Sequence, residues 1–549
     1  MKLTLLETIA TSLCRSYQAA GFGELTLAEA RESLSFCDIA FADFASNIGM
    51  QKAKILEQSP REIAEKLAFT LQRDPLFAAV TVAGPGFLNL KLATAAWSSF
   101  AGTITPGLFK TQVGQGQTVN VEFISANPTG PLVLVNAWGG FYGDILARVY
   151  QSLGYTVTRE YYLNDGGNQI AQLGRAIQQA AGQTFSEEIT EVLYRGEYID
   201  TLVAPMQSEF GGQAELLAAD PQAIGELAQA KIFHNLILPT LQRLEIKHDV
   251  VTPETQLDNQ ATLGRLRDKA AVKEVDGAIW LDGERAGIEK DEVLVRSTDG
   301  QETYFLKDIS YQYDKLVTRG FDTAITIVGP DHHGQEQRLL AAMKLLGVKG
   351  FIPLWTQTVR LLRDGVEFKM SKRRGNYIAL DDLLDMIPSE TARFFFGMRD
   401  PNTHFDLDLD LVSAQNKHNP LYYVMYAYVR TGAILEKAGG SSETGDLTKD
   451  QVLRDIDRAL LRQIVYIQTR IEMTAQTQLV HPILYAIVEL ASIFHEWYEQ
   501  SPVLKAEPDL KLQRLQIVSL VRVVYAALFD LIGLTPLDKM VADQSSVSE

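Results

Sequence analysis

Val119-Asn120-Val121-Glu122-Phe123 alternates apolar and polar side chains, as a half-buried strand does. It runs into Ser125-Ala126-Asn127-Pro128-Thr129-Gly130-Pro131-Leu132, a segment of turn formers. A stretch over residues 136–153 follows, with Phe141, Ile145, Val149 and Leu153 at the four-residue spacing of a helix. Strand, Gly/Pro loop and helix constrain the fold more than any other feature of this chain. The pattern opens a doubly wound α/β sheet and aims free backbone N–H groups at an anion in the turn. A generic βαβ turn looks the same, so this geometry by itself names no ligand.

Lys369-Met370-Ser371-Lys372-Arg373, continued by Arg374-Gly375-Asn376, is the second informative stretch. Ammonium groups are mobile point charges suited to phosphate oxygens, and Ser371 adds a neutral donor. Read alone, a short basic run is most often a solvated turn. A loop wrapped around polyphosphate is the alternative, and the rest of the chain decides between them.

KMSKR resembles the signature loop of class I aminoacyl-tRNA synthetases, and further words narrow the likeness. ANPTGPL at 126–132, Gly143-Asp144 and REYYLNDGGNQI at 159–170 closely resemble arginyl-tRNA synthetases. The family's inserted-segment motif is matched by Tyr194-Arg195-Gly196-Glu197-Tyr198-Ile199. DGAIWL at 276–281, VLVRS at 293–297, YFLKDI at 304–309 and VGPDHHG at 328–334 follow in the family's order. The resemblance covers nearly the whole chain.

One departure stands out. After Gly-Pro-Leu the family carries histidine, an apolar residue, glycine and a second histidine. Here those positions read Val133-Leu134-Val135-Asn136. Asn136 can still donate through its amide, Val133 cannot donate, and Val135 narrows the space that glycine leaves for ATP. Trp138 stands where many relatives carry a smaller or basic residue. Either backbone amides, Asn136 and the KMSKR loop hold ATP, or the site no longer activates an amino acid. Losing one aimed donor costs on the order of 10²–10³ in rate, and the other chemical positions are intact, which favours an active site.

At 549 residues, 46% of them hydrophobic and 22% charged, the chain suits three or four globular domains. No run of about 18 apolar residues stands out, so no membrane span is expected. The N-terminus reads as an amphipathic helix rather than a signal peptide, because Glu7 interrupts it. Cys14 and Cys37 alone make neither a disulfide framework nor a zinc ribbon, and cytoplasm is the expected compartment. A net charge of −17 neither supports nor excludes tRNA, since global charge does not locate a binding face.

The expected organisation is an N-terminal α/β domain over residues 1–108, a catalytic sheet over 113–400 and a helical domain over 415–549. A mostly helical insertion at about 171–270 would divide the sheet, and no chemistry is legible in it. Ser59 and Pro60 read as a helix start, and Ala324-Ile325-Thr326-Ile327-Val328 reads as a buried parallel strand. The last block repeats apolar residues at helical steps, through Leu453, Ile456, Leu460, Ile464, Ile467 and Ile471. The resemblance makes the first block a tRNA-elbow-binding domain and the last an anticodon-binding domain. In the first, Phe87 is either a base-stacking surface or a core ring, and Asn89 is the better polar candidate for tRNA.

Arginine's guanidinium is a planar fork best matched by a carboxylate beside an aromatic rim. Tyr304 and Asp308, four residues apart, share a face on a helical turn. Glu122 and Asn127 leave the first strand towards the crevice where such sheets bind ligands. These four match the positions that bind arginine in the family, and Asp276 is a weaker addition. ATP would meet Asn127, Pro128, Thr129, Gly130, Pro131, Asn136, Asp331, His333 and Lys372. His332 and His333 lack the partners of a metal site, and nucleotide contact or simple packing are both open for His333.

The resemblance implies arginine–tRNA ligation without a protein nucleophile. Arginine's carboxylate attacks the α-phosphate of Mg²⁺-bound ATP, and a ribose hydroxyl of the tRNA's terminal adenosine then takes the arginyl group. Lys369, Ser371, Lys372, Arg373 and Asn136 are the candidate catalytic residues, acting on phosphate charge. The implied partners are tRNA for arginine, arginine and ATP, with a monomer as the default state. Two other readings remain: a synthetase-like tRNA-binding protein without ligation, and a generic nucleotidyltransferase of the same fold.

Overall fold

The computed structural model describes residues 4–191, 193–297, 300–330, 334, 336–368, 378–439, 453–537 and 539–540. They form two compact units, one of residues 1–110 with 415–477 and 482–549, the other of residues 111–414 with 478–481.

In the first unit, strands β1 (Leu34–Phe36), β2 (Phe44–Ser46), β3 (Phe77–Ala83) and β4 (Phe87–Leu92) form an antiparallel sheet in the order β1-β2-β4-β3. Thr4 caps the Leu5–Ala19 helix, whose amphipathic face buries Leu6, Ile9 and Leu13. The Pro60–Leu71 helix starts at Ser59 as its sequence predicts. Four long helices follow near the C-terminus: Pro420–Lys437, Asp455–Thr477, His481–Gln500 and Pro508–Ile532.

Sequence blocks expected as separate domains here share one unit. Asp43 is buried on the N-terminal sheet, accepts the Leu92 N–H at 2.7 Å and lies 3.3 Å from the Arg458 guanidinium of the Asp455–Thr477 helix. Phe36 meets the Tyr466 ring edge-on at 5.0 Å.

The expectation about membrane spans needs one correction. The Pro508–Ile532 helix reaches a mean hydropathy of 1.9 over 18 residues, enough in length and composition to cross a bilayer. Its apolar side is instead packed within the unit: Val521, Val524 and Leu528 are buried, and Phe529 meets the Tyr428 ring at 5.3 Å.

The second unit is built on five parallel strands. In chain order these are β5 (Thr118–Glu122), β6 (Thr156–Leu163) and β7 (Val250–Pro253), then, after an antiparallel excursion, β11 (Thr323–Val328) and β12 (Phe351–Trp355). Their spatial order is β12-β11-β5-β6-β7. The chain first winds outward from β5 through β6 to β7, then returns to the other side of β5. The switch point lies between β5 and β11, where a doubly wound sheet opens its ligand crevice. The Leu134–Ser152 helix follows β5, starting two residues earlier than its spacing predicts.

The insertion is helical from Asn168 to Arg243, but the chain re-enters the parallel sheet as β7 within the expected 171–270 segment. Val250-Val251-Thr252-Pro253 is a short edge strand, and its proline ends the run. Beyond it, β8 (Val272–Val275), β9 (Ala278–Leu281) and β10 (Glu292–Val295) make a small antiparallel sheet. Asp276 is exposed at the hairpin tip between β8 and β9, and its candidacy for the amino-acid pocket is overturned.

The unit also extends past residue 400. Strand β13 (Val359–Arg363) pairs with β14 (Val366–Glu367) and, in parallel, with β15 (Phe405–Asp408), so the chain to Ala414 belongs here.

Candidate active site at the sheet switch point

The crevice begins where β5 ends. Ile124 takes φ = +55°, a left-handed conformation rare for a β-branched residue and costing about 1–3 kcal/mol. Packing and hydrogen bonds fix it there. A β-carbon at Gly140 would overlap the Ile124 side chain, and one at Gly143 would overlap the Phe123 ring, so glycine at these two positions lets the helix approach the loop. Tyr161 donates its hydroxyl to the Ala126 carbonyl at 2.7 Å. His248 lies 3.1 Å from the Phe123 carbonyl, and burial pushes its pKa down to about 4. The ring is therefore neutral at pH 7 and bonds that carbonyl through a protonated Nε2.

Asp144, next to Gly143, anchors the same helix. Burial by itself would raise its carboxyl, but the Arg393 and Arg148 guanidinium groups hold it below the usual range. Arg393 contacts it at 2.5 Å, and both side chains are sealed from solvent.

Two adjoining cavities open on the bent loop, and Ser125, Asn127 and Val328 line both. The smaller, of about 280 Å³, gathers Glu122, Asn127, Tyr304 and Asp308, the four residues the sequence assigned to arginine. Tyr304 and Asp308 come from the Tyr304–Tyr313 helix, capped by Thr303, and Glu122 ends β5.

Three carboxylates face this cavity. Glu122 accepts Lys315 Nζ at 2.6 Å, Thr326 Oγ1 at 2.8 Å and Ser125 Oγ at 2.9 Å. Glu254 pairs with Lys307 at 2.5 Å and accepts the Tyr162 hydroxyl at 3.2 Å. Asp308 has no cation paired with it among the described residues. Burial, with Glu122 and Glu254 nearby, pushes its carboxyl up to about 7, against the opposing pull of Lys315 and Lys307. The cavity thus holds one unmatched acid. Tyr162 stacks on Tyr311 with ring centres 4.2 Å apart, and Tyr311 donates to Glu160 at 2.9 Å.

The larger cavity, of about 440 Å³, is lined by Thr129, Gly130 and Pro131 with Val133, Val135 and Asn136. Pro128 is buried beneath the loop and lines neither cavity, so its part is to shape the turn. Asn136 turns back on the helix start: its Oδ1 accepts the Val133 N–H at 2.8 Å. A Val133 side chain cannot cap the first-turn N–H groups, and Asn136 makes only the reciprocal bond, to the Val133 N–H. Its Nδ2 remains as a donor.

Trp138, the large residue that stands where many relatives carry a smaller or basic one, is kept away from the cavity. Trp138 is buried against Phe405 and Phe396, with ring centres 5.5 and 6.4 Å away, and does not line the cavity.

Leu134 N–H donates to the Ile378 carbonyl at 3.1 Å and Leu380 N–H to Leu132 at 2.8 Å. The altered signature therefore clasps the chain just after the basic segment. Lys369, Ser371, Lys372, Arg373, Asp331 and His333 lie outside the described residues.

Phe87 and Asn89 belong to the other unit. Along β4, Leu88, Leu90 and Leu92 are buried while Phe87 is 37% exposed, so the core alternative for Phe87 is overturned. Asn89 shares its open face.

Sequence reasoning missed several pocket residues. Tyr194 and Tyr198 of the insertion line the larger cavity, and Tyr198 donates to the Thr129 carbonyl at 2.9 Å. Their motif had been noticed, but nothing in it indicated a pocket wall. Glu254, Tyr162 and Lys315 come from separate elements that only the sheet brings together. Gln312 was within reach, because it extends the Tyr304 and Asp308 spacing by one more step of four.

Family comparisons agree with this geometry. A family model described as "tRNA synthetases class I (R), catalytic domain" matches residues 104–394. Models for the "Arginyl tRNA synthetase N terminal domain" and the "DALR anticodon binding domain" match residues 9–92 and 424–540. The arginine–tRNA ligase of Solidesulfovibrio magneticus is 36% identical over 521 residues, covering 92% of this chain and 94% of its own. The chain belongs to the arginyl-tRNA synthetase family. The arginine–tRNA ligase of Thermotoga maritima, 35% identical, covers 91% of this chain and 94% of its own.

Solved arginyl-tRNA synthetases from Thermus thermophilus and Plasmodium falciparum share the fold, with TM-scores of 0.76 and 0.74. At 20% and 15% identity they span 97% and 98% of this chain and 99% and 100% of theirs. Family membership makes the chain an arginine–tRNA ligase of class I, using ATP, arginine and tRNA, and sets aside the non-catalytic alternative.

Proposed function

We propose that the smaller cavity binds arginine and the larger binds ATP, so that the two reactants meet over Asn127. The observation carrying this reading is Asp308, a carboxylate without a paired cation among the described residues, in a cavity sized for one amino acid. A guanidinium supplies the missing charge, with Tyr304 as its aromatic rim. Asn127, which faces both cavities, can accept from the α-ammonium and donate to the carboxylate. Glu122, already matched by Lys315, shapes this end of the pocket and offers its remaining lone pairs to the ammonium.

In the first step, an arginine carboxylate oxygen attacks the α-phosphorus and the bond to the bridging oxygen of pyrophosphate breaks. Loop amides around Thr129 and Gly130, with Asn136 Nδ2, hold the nucleotide. Lys369, Lys372 and Arg373 neutralise charge developing on the phosphates, Ser371 adds a neutral donor, and Asp331 and His333 border the nucleotide. A ribose hydroxyl of the tRNA then attacks the activated carbonyl and AMP leaves. Catalysis is positioning plus charge stabilisation.

Mg²⁺ accompanies ATP, carried on phosphate oxygens as such ions commonly are. Phe87 and Asn89 meet the tRNA elbow, one by stacking and one by its amide. The helices of residues 415–549 read the anticodon region. One chain supplies every assigned arginine and ATP contact, so it works as a monomer, in the cytoplasm where its substrates occur.

The test is charging of arginine tRNA, resolved on acid gels, by the native chain and by Asp308→Ala. The variant should raise the KM for arginine with little change in that for ATP. An unchanged arginine KM would contradict the assignment.

A further inference from the structure

We propose that Gln312 is a further arginine-binding residue, its Oε1 accepting an N–H of the guanidinium beside Asp308. This rests on the assignment of the smaller cavity to arginine. Gln312 lines that cavity and is 98% buried by its 2% exposure, yet its Oε1 has no hydrogen-bond partner among the described residues. A buried acceptor left unmade costs about 1–3 kcal/mol, so such an atom at a cavity wall points to a donor supplied from the cavity.

The orientation of this amide follows from its neighbours. Gln312 Nε2 lies 3.2 Å from Thr326 Oγ1, and Thr326 has a single proton to give. That proton goes to the Glu122 carboxylate at 2.8 Å, a charge-assisted bond stronger than one to a neutral amide. Thr326 can then only accept from Gln312. The nitrogen must face Thr326, and the oxygen must face away from it.

Position in the helix places that side chain with the other groups of the smaller cavity. Tyr304, Asp308 and Gln312 stand at steps of four on the Tyr304–Tyr313 helix and all line the cavity. A carboxylate satisfies two N–H groups of a guanidinium in a bidentate pair, and the others need acceptors in a dry pocket. A neutral carbonyl provides one without adding a fourth negative charge to Glu122, Glu254 and Asp308. Asn164 Oδ1, also buried and without a partner among the described residues, lines the same wall. Surplus acceptors suit a ligand with many diverging N–H groups rather than a compact ammonium.

The experiment measures tRNA charging against arginine concentration for the native chain, Gln312→Met, Gln312→Glu and Asp308→Ala. Inhibition by agmatine, which keeps the guanidinium but has no carboxylate, is read alongside. Gln312→Met should raise the arginine KM and the agmatine inhibition constant together, on the order of tenfold to a hundredfold. Its kcat should change by less than about threefold, because the contact is equal in ground and transition states. Gln312→Glu keeps an acceptor but adds a fourth negative charge and loses the donor to Thr326, so it should recover only part of the loss seen in Gln312→Met.

If Asp308→Ala weakens arginine while Gln312→Met leaves both constants within twofold of native, this inference fails and the cavity assignment stands. If neither variant affects arginine, the cavity assignment itself fails. A fall in kcat with both constants unchanged would assign Gln312 a structural part through Thr326 and overturn the proposal. Should Gln312→Met not fold, as read by thermal melting, Gln312→Asn replaces it. That amide is pulled back by one methylene, and the same readings apply.

Discussion

Glu122 and Lys315 form an ion pair at 2.6 Å beside the smaller cavity, with Lys315 wholly sealed from solvent and Glu122 nearly so. The lysine also stands 3.9 Å over the Tyr311 ring, within a π-helical turn spanning Asp314–Thr318. Such turns often mark functional sites. Here the turn carries the lysine that neutralises Glu122, while Asp308 has no cation paired with it among the described residues.

Lys315→Met should therefore destabilise the fold by about 3–5 kcal/mol, because it leaves a buried carboxylate unpaired. Combining it with Glu122→Gln should recover much of that loss. Chemical denaturation of the single and double variants measures both. Equal stability of the native chain and Lys315→Met would refute the buried pair.

Arginine affinity should rise with pH through about 7. Burial and the neighbouring carboxylates raise the Asp308 pKa to about 7, so below that value the acid is mostly protonated and a proton must leave before a guanidinium pairs with it. The KM for arginine should fall about tenfold from pH 6 to pH 8. Asp308→Asn should flatten the profile. A steep dependence persisting in that variant would assign the titration to another group.

Val133→His with Val135→Gly should accelerate adenylation by about tenfold, below the roughly 10²–10³ that one aimed donor is usually worth, because Asn136 and the loop amides already act on the nucleotide. Trp138 is packed on Phe405 and Phe396 rather than beside the cavity, so the change leaves its packing intact. Glycine in the first helical turn should lower stability by up to about 1 kcal/mol. ATP–pyrophosphate exchange with tRNA present reads the rate, and a decrease would show that the valine signature is adapted to its site.

Tyr198→Phe should weaken ATP and leave arginine nearly unaffected. The hydroxyl that holds the Thr129 carbonyl at 2.9 Å is lost, while the ring over Gly130 remains. A net hydrogen bond is worth about 0.5–1.5 kcal/mol, so the KM for ATP should rise roughly two- to tenfold. Steady-state charging with ATP varied decides it.

Local pattern in the sequence carried a large part of this protein. The alternation over residues 119–123, the turn formers after it and the four-residue apolar steps over 141–153 specified strand, loop and helix, because each is set by neighbours along the chain. The words around them identified the family, and the spacing of Tyr304 and Asp308 placed two arginine groups on one helical face. Extended by one step, the same spacing reaches Gln312. Packing between distant segments was not legible. Pairing of β5 with both β6 and β11 brings Glu122 to Lys315 and Thr326. Return of the chain through β7 brings Glu254 to Lys307 and Tyr162, and Asp43 meets Arg458 across more than four hundred residues. None of these pairs has a sequence separation that local propensity can sense. Which carboxylate stays without a paired cation among the described residues was decided only when the tertiary fold had distributed the lysines.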